Sequence, residues 1–408
     1  MKPALSCSLL MSLGLLIAGC EQSIESGQYS SNDSDHDQNA DSATHSFNEG
    51  PVTLLVSDRS IQFSWSDVPN ADRYSLYQAS DAFEDFENYG VYLDSRLHLN
   101  VSSPFSVDHL TNHQILTFIL TAEVDGTETM IGEPMHLHAR GSEPNGREVR
   151  LLELVNRARK DPEAEALRYG IALNKDLAPG TISPDSKAPL AFNIPLMLAS
   201  RDHSAWMLES NVFAHDGANG SNAGDRAEAA GYVLTSPGGI GENLAWLGTT
   251  ALTIDLTSSI ETHHEGLFLS EKHRENILHE TYRESGVGQR HGQFTQDGTN
   301  YNSSMLTNKF GYSGERYFLT GVAFEAAESD GLYQVGSALE EVWIHLDDYR
   351  YAPYASGAFS VLLAPGSYEF SVSVAGEAVG IPEIITLTDQ NIKRDVVKHG
   401  GSIHIRDN

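Results

Sequence analysis

The chain has 408 residues and carries 26 Lys and Arg against 56 Asp and Glu, which gives a formal net charge of −30 at pH 7. An acidic excess of this size repels phosphate, so it excludes nucleic acid as a partner and argues against electrostatic adhesion to anionic lipid. A chain of this length can build several hydrophobic cores, and we therefore expect several domains.

Residues 1–20 have the pattern of an export signal, because a basic Lys2 precedes an apolar run too short to span a bilayer. The run ends in IAGC at 17–20, which resembles the bacterial lipobox. The resemblance implies that Cys20 becomes the lipid-modified first residue of a membrane-anchored protein. Because Glu21 rather than Asp follows it, the outer membrane is favoured. The alternative is an ordinary signal peptide with an incidental cysteine.

Residues 21–50 are rich in Ser, Asp, Asn and Gln and contain almost no apolar side chains. Such a segment cannot bury enough surface to offset the entropy of ordering, so it is predicted to be a disordered tether. Asp33, Asp35 and Asp37 alternate as in a calcium loop, but Gln38 stands where that loop needs Gly. Removal of Cys7 with the signal and lipidation of Cys20 would leave the exported protein without a disulfide.

Residues 51–140 show short runs of period two separated by turn residues, which predicts an antiparallel β-sandwich. Ile61, Phe63 and Trp65 alternate in one such run. The stretch SWSDVPNADRYSLYQ resembles two strands of a fibronectin type III module, with the Trp and the following Tyr across one core. No catalytic pattern is present, so this segment is interpreted as a spacer or adhesion module.

Residues 145–327 mix helical and strand periodicities without regular βαβ alternation, which favours an α+β or layered αβα domain. Asn193 is a candidate helix cap, with Pro195 in the first turn. His203 falls on the apolar side of that helix and is either a hydrogen-bonded core histidine or a ligand. The alternating stretch from Tyr317 to Ala323 is taken as the last strand of this domain.

Residues 330–408 again alternate like strands, with a turn at Pro365-Gly366, and predict a second small β-sandwich. The stretch GAFSVLLAPGSYEFSVSV resembles the end of a carboxypeptidase-regulatory-like module. This segment also lacks a pattern that indicates chemistry.

Titratable side chains beside glycine or at helix ends concentrate between Phe213 and Gly288. His215 precedes Asp-Gly, and His273 falls in the first turn of a short helix. Glu242 lies between Gly and Asn, where the backbone can adopt a positive φ. Imidazole and carboxylate are ligand types that suit zinc, and they also exchange protons near neutral pH. The residues alone leave both chemistries open.

These blocks resemble the bacterial CAP (SCP-like) superfamily, which includes cysteine-rich secretory proteins, antigen 5 and plant pathogenesis-related proteins. The resemblance covers roughly Arg147 to Glu325 and implies a three-layer αβα sandwich with a cleft that carries two His and two Glu. Each block is weakly specific, but their order is shared: NVFAHDG, GDRAEAAGY, GENLAW, LSEKHRENIL and ESGVG.

The resemblance assigns the first family His to His215, the Glu of the GEN block to Glu242 and the second His to His273. Asn243 joins them in the cleft, and Arg226 is a structural or rim residue. The family's second Glu falls in a register near Leu267 and Ser270, so Glu265 or His264, one turn back, is the expected substitute. A tentative metal site for zinc or another divalent cation would use His215, His273 and Glu242.

Three functions follow from this reading. The first is an exported, lipid-anchored cell-envelope protein, at the outer membrane, whose cleft binds a small apolar or glycan-like ligand. The second is a peptidase-like hydrolase, although no HExxH occurs, because His264-Glu265 is followed by Gly-Leu-Phe. The third is a surface adhesion protein with an inert centre. The sequence favours a binding protein over an enzyme.

Overall fold

The computed structural model describes residues 16–17, 45–49, 51–57, 59–79, 96–110, 116–132, 134–137, 139–328, 331–347 and 349–407. The predicted signal peptide, 1–20, lies outside this part of the chain apart from strand β1 (Leu16–Ile17), and Cys20 is not among the described residues. Residues 21–44 of the predicted tether, with the Asp33–Gln38 stretch, also lie outside it. Within the described ranges, no helix has both the length and the apolar character needed to cross a membrane.

The N-terminal domain is built from antiparallel sheets that share one core. Phe63 and Phe118, on facing sheets, bring their ring centroids to 5.0 Å. The rings of Trp65 and Tyr74 contact each other at 5.4 Å, as the sequence predicts. One sheet has the order β2-β3-β4-β7 and the other β10-β8-β5-β6 with β9 on β8; the strands are β2 (His45–Glu49), β3 (Val52–Ser57), β4 (Ser60–Trp65), β5 (Arg73–Ala79), β6 (Arg96–Val101), β7 (Phe105–Asp108), β8 (Leu116–Val124), β9 (Thr127–Met130) and β10 (Met135–Leu137).

Strand β2 corrects the predicted extent of the tether. His45–Glu49 pairs with β3 along its whole length, from His45 opposite Val56 to Glu49 opposite Val52. The tether, predicted to run to residue 50, therefore does not include these residues. The composition of this segment does not reveal the strand, because the segment has no apolar run of its own. Its hydrogen bonds come from pairing with the neighbouring strand β3.

The central domain is a sheet with helices packed on both faces. Trp246 and Met305 pack with side chains of α3, whereas Leu306 and Phe310 pack with those of α1 and α5. The sheet has the order β1-β12-β14-β13-β11 and is antiparallel except where β11 meets β13. The elements are α1 (Gly146–Lys160), α2 (Pro162–Arg168), β11 (Ala191–Phe192), α3 (Ile194–Ser210), α4 (Ala223–Ala229), β12 (Gly238–Thr249), α5 (Leu256–Leu269), α6 (Glu271–Ile277), β13 (Glu284–Gln296) and β14 (Thr299–Ser313).

The ends of α3 are fixed by its sequence. The Asn193 side chain accepts from the backbone N–H of Leu196, and Pro195 lies in the first turn, as predicted. At the other end Asn211 takes a left-handed conformation with φ of 54°, which stops the helix. The chain therefore turns into the loop that carries His215.

Two glycines of β13 allow α3 to lie directly against the sheet. A Cβ added at Gly286 would be 2.1 Å from the backbone nitrogen of Met197, and one at Gly288 would be 2.2 Å from that of Arg201. The atoms that would clash belong to the helix backbone, so they cannot move as a flexible side chain can. The ESGVG block therefore has a packing role.

Gly286→Ala is expected to lower the free energy of unfolding by about 3 kcal/mol or more, because α3 must shift away from the sheet. Gly292→Ala on the same strand is the control, since its Cβ would meet only the Leu208 side chain, at 3.1 Å. We expect the control to cost less than about 1 kcal/mol in denaturant unfolding. Equal losses in the two variants would contradict this account.

The C-terminal domain also has two sheets, and it includes a strand that the sequence analysis placed in the central domain. Strand β15 pairs with β18 and β21 and not with the central sheet, so the predicted limit at residue 327 is wrong. Alternation shows that 317–323 is a strand but does not reveal its partners. The sheet orders are β18-β15-β21-β22 and β17-β16-β19-β20; the strands are β15 (Tyr317–Glu325), β16 (Val342–Leu346), β17 (Tyr349–Tyr351), β18 (Ala358–Leu363), β19 (Gly366–Val374), β20 (Glu377–Leu387), β21 (Ile392–His399) and β22 (Ser402–Asp407).

Candidate functional site

Glu242 is the carboxylate around which the central site is arranged. It lies on β12 directly opposite Lys309 of β14, and only 7% of its surface is exposed. Lys309 Nζ donates to Oε2 of Glu242, and Arg226 Nη2 donates to both carboxylate oxygens, at 2.8 and 3.0 Å. Two cationic side chains on separate elements therefore hold one buried carboxylate.

Charge balance keeps these groups ionised. Burial by itself raises the pKa of Glu242, but the hydrogen bond from His215 and the positive charge of Lys309 outweigh it and hold that pKa well below its usual range. Burial lowers the pKa of Lys309 to about 8, and Glu242 opposes the shift. At neutral pH the site therefore contains a carboxylate facing an ammonium group. A carboxylate with so low a pKa is a poor general base.

His215 extends from the loop after α3 toward the same carboxylate. Its Nδ1–H donates to Glu242 Oε1 at 3.0 Å, and Arg226 Nη2 donates to its backbone carbonyl at 2.9 Å. The imidazole side chain is 45% exposed. Because Nδ1 carries the proton, Nε2 is the ring nitrogen that can accept a hydrogen bond from a ligand.

His203 is a buried histidine beside this group. Its Nε2–H donates to the carbonyl of Ala214 at 3.0 Å, and its ring stacks on Trp206 with centroids 5.5 Å apart. Burial lowers the pKa of His203 to about 4, so the ring is neutral at pH 7. The sequence left open whether His203 is a core histidine or a ligand, and in the structure it is a hydrogen-bonded core histidine. Its Nε2 also lies 3.9 Å from Glu242 Oε1.

The opposite side of β12 carries the contacts to α6. Glu242 and Asn243 are successive strand residues, so their side chains point to opposite faces. Asn243 is fully buried, and its Nδ2 donates to the carbonyl of His273 at 3.0 Å. Asn276 Nδ2 in turn donates to Asn243 Oδ1 at 2.8 Å. Asn243 therefore fixes α6 against the strand and does not line an open cleft.

His273 lies on α6, and its backbone carbonyl accepts the hydrogen bond from Asn243 of β12. Burial is the largest cause that lowers the pKa of His273 to about 4, with a smaller electrostatic contribution from His215. The structure thus brings His215 and Glu242 into direct contact, whereas His273 meets β12 through its backbone carbonyl, which accepts from Asn243.

Gly241, which precedes Glu242 on β12, permits a close approach of another side chain to the strand. A Cβ at this position would be 2.3 Å from the Tyr282 hydroxyl. Gly241 does not have a positive φ, contrary to the conformation that the sequence pattern favoured. The glycine of the GEN block therefore makes room for an aromatic ring.

His264 and Glu265, the expected substitutes for the second family Glu, lie elsewhere. His264 is fully buried, and its Nε2 is 2.8 Å from Glu165 Oε1, between the rings of Tyr169 and Phe268. Glu265 is exposed on the same helix. The core-facing positions of α5 include His264, so the helical phase turns this side chain into the core and away from Glu242.

Comparison with protein families gives a match over part of the chain. The sequence model of the family described as CAP, cysteine-rich secretory protein family, matches residues 152–295. Residues 152–295 form a CAP domain. The match runs from within α1 to the end of β13, and strand β14, which supplies Lys309, follows it. The predicted CAP resemblance is confirmed for this range.

Other comparisons add little. A comparison with curated proteins finds none that matches the chain. Among solved structures, the chain is similar to an extracellular protein containing an SCP domain from Bacillus anthracis strain Ames. The two are 14% identical, with 71% of this chain and 99% of the other covered and a TM-score of 0.25. A likeness this weak carries no argument about fold or function.

The donor set of the CAP domain does not fit the predicted zinc site. The carboxylate of Glu242 is occupied by Lys309, Arg226 and His215, and a metal ion would have to displace cationic partners. Across the described residues, no three His, Cys, Asp or Glu side chains converge as a metal-binding group. Among the described residues, the partners of Glu242 are His215, Arg226 and Lys309.

Lys309 and Arg226 are the residues that sequence reasoning undervalued. Arg226 was assigned only a structural or rim position, although it binds both oxygens of Glu242. Lys309 was not considered. Its signal is a lysine within the strand stretch SSMLTNKFGY, in which consecutive residues on both faces of the strand are buried. A buried lysine needs a carboxylate partner, so this position could have been flagged.

Proposed function

We propose that this protein is exported, anchored through lipid on Cys20, and binds a small hydroxyl-bearing, glycan-like ligand in the cleft of its CAP domain. The observation that carries the proposal is the His215–Glu242 pair, which fixes one tautomer and leaves Nε2 on a half-exposed ring. An acceptor nitrogen of fixed orientation suits a ligand O–H or N–H donor.

Two unsatisfied polar atoms support the same location. Within the described part of the chain, Arg226 Nε and His203 Nδ1 are buried without a hydrogen-bond partner. Buried polar groups are rarely left in this state, so water or a ligand is expected to meet them. The charged and polar side chains here favour a glycan-like ligand over an apolar one.

The test is calorimetric titration of the protein with a soluble N-acetylglucosamine tetrasaccharide, with palmitate as the apolar comparison. His215→Ala is expected to weaken tetrasaccharide binding about tenfold or more, because one hydrogen bond to a fixed acceptor is lost. His291→Ala removes an exposed histidine of β13 and is the control. Binding of palmitate alone would transfer the proposal to apolar ligands, and binding of neither would favour the adhesion hypothesis.

Hydrolysis is the second candidate function, and the same pair of residues favours it. A carboxylate that orients an imidazole is the arrangement used in general-base catalysis. Incubation of the tetrasaccharide and of a peptide mixture with the protein separates the two functions. Cleavage products that disappear in His215→Ala indicate a hydrolase, whereas recovery of intact ligand supports binding.

Lipid anchoring is tested separately. Cys20→Ala is expected to move the protein from the membrane fraction to the soluble fraction, because the residue that would carry the lipid is gone. Fractionation with detection of the protein by immunoblot measures the change. Cys7→Ala is the control and is expected to leave the membrane fraction unchanged. Continued membrane association of Cys20→Ala would refute the anchor.

A further inference from the structure

A cavity lies between the CAP domain and the C-terminal domain, away from the His215–Glu242 site. Its volume is about 610 Å³, within the range of small-molecule pockets. Helices α1 and α2, the segment 186–189 and the start of β21 form its walls. Residues of both domains therefore contribute to a single concave surface.

The lining of this cavity has more basic than acidic side chains, although carboxylates outside the lining pair with most of the cations. The chain as a whole has 26 Lys and Arg against 56 Asp and Glu, so a random surface patch should be acidic. The cavity reverses that ratio, because its lining includes one carboxylate, Glu153. Against it stand six basic side chains: Arg157, Lys160, Arg168, Lys187, Lys393 and Arg394.

Several of these cations are held in place before any ligand arrives. Lys187 Nζ donates to the carbonyls of Ser183 and Asp185, at 3.1 and 2.7 Å, and lies 3.3 Å from Oε1 of the exposed Glu280, while its own side chain is only 3% exposed. Lys393 lies between Glu153, at 3.0 Å, and Asp395. Side chains that are already ordered lose little entropy on binding.

One carboxylate serves two of the guanidinium groups. Arg157 binds Glu165 through two nitrogens at 2.9 and 2.6 Å, and Arg168 Nε binds the same carboxylate at 3.2 Å. Two positive charges therefore share one negative charge on this wall. The remaining positive charge can be met by an anion in the cavity.

We propose that this cavity binds a small soluble molecule that carries two or more oxyanion groups of the phosphate or carboxylate type. Arginine forks recognise such groups in pairs, and lysine ammonium groups add point charges. The ligand would contact Arg168 of the CAP domain and Arg394 of the C-terminal domain, so it would also fasten the two domains together. This site is separate from the glycan-like site, and either can exist without the other.

The experiment is calorimetric titration of the protein with pyrophosphate and, separately, with citrate. Binding of pyrophosphate alone identifies a phosphate-type ligand, and binding of citrate alone identifies a carboxylate-type ligand. The double variant Lys160→Gln, Arg168→Gln removes two cavity charges from side chains that reach solvent. We expect it to weaken binding about tenfold or more.

The control is Lys175→Gln, Lys398→Gln, which removes the same charge from surface positions outside the cavity. It is expected to change the affinity less than about twofold, because separated surface charges are screened by salt. Denaturant unfolding of both double variants checks that they fold. The proposal is overturned if neither anion binds at about 10 mM, or if the two double variants weaken binding equally.

Discussion

Glu242→Gln is expected to lower the free energy of unfolding by about 3–5 kcal/mol, one of the two largest effects predicted for this protein. The substitution keeps the shape of the side chain but removes its negative charge. Lys309, which is fully buried, and Arg226 then face a neutral amide. A buried ammonium group without a counter-charge is costly, so the loss comes mainly from Lys309.

A double-mutant cycle with Lys309→Met isolates that interaction. The double variant removes both charges, and its loss is expected to be smaller than the sum of the single losses by about 2 kcal/mol. Denaturant unfolding at neutral pH provides the four stabilities. Additive losses would mean that the two side chains do not interact, and the ion pair across β12 and β14 would have to be abandoned.

Acid is expected to destabilise the CAP domain through histidines that are buried in the neutral form. Burial lowers the pKa of His263 from 6.5 to about 3, and that of His203 from 6.5 to about 4. The unfolded chain therefore binds more protons than the folded chain between those values and 6.5. Stability is complete above pH 6.5 and falls as the pH drops toward 3 or 4.

His263→Gln tests this effect at one position. Its amide can still reach Ser304 Oγ, which is 2.9 Å from His263 Nε2, but it cannot titrate. Between pH 7 and pH 4, the variant is expected to lose about 3 kcal/mol less stability than the unsubstituted protein, from the pKa difference of that one ring. Hydrogen exchange of the β14 amides, measured at both pH values, reports on this domain.

The exposed His291 provides the matched control for acid stability. His291→Gln is expected to leave the pH dependence unchanged, because this side chain is open to solvent. If His263→Gln and His291→Gln respond to acid like the unsubstituted protein, the buried histidines are not the source of the acid sensitivity.

The sequence predicted those parts of the site that are encoded in short blocks. FAHDG and GEN point to His215 and Glu242, and these two side chains do contact each other. The cap at Asn193 was also predictable, because capping depends on neighbouring residues only. Predictions from short sequence blocks of this kind hold in the folded protein, because the structure they predict depends little on contacts with distant residues.

What the sequence did not predict depends on long-range register. Lys309 meets Glu242 only because β12 and β14 pair with these residues opposite each other. The helical phase of α5 turns His264 into the core. The sequence shows His264 and Glu265 side by side but does not reveal which of the two faces the core. Strand β15 likewise finds its partners β18 and β21 far along the chain. Each of these outcomes is set by tertiary packing and not by local propensity.

Glu242 holds His215 in the Nδ1–H tautomer and leaves Nε2 available to a ligand. Nitrogen-15 NMR of the neutral ring measures the tautomer directly in the protein and in Glu242→Gln. We predict Nδ1–H with an unprotonated Nε2 in the unsubstituted protein, and loss of that preference in the variant. An Nε2–H ring in both proteins would contradict the account.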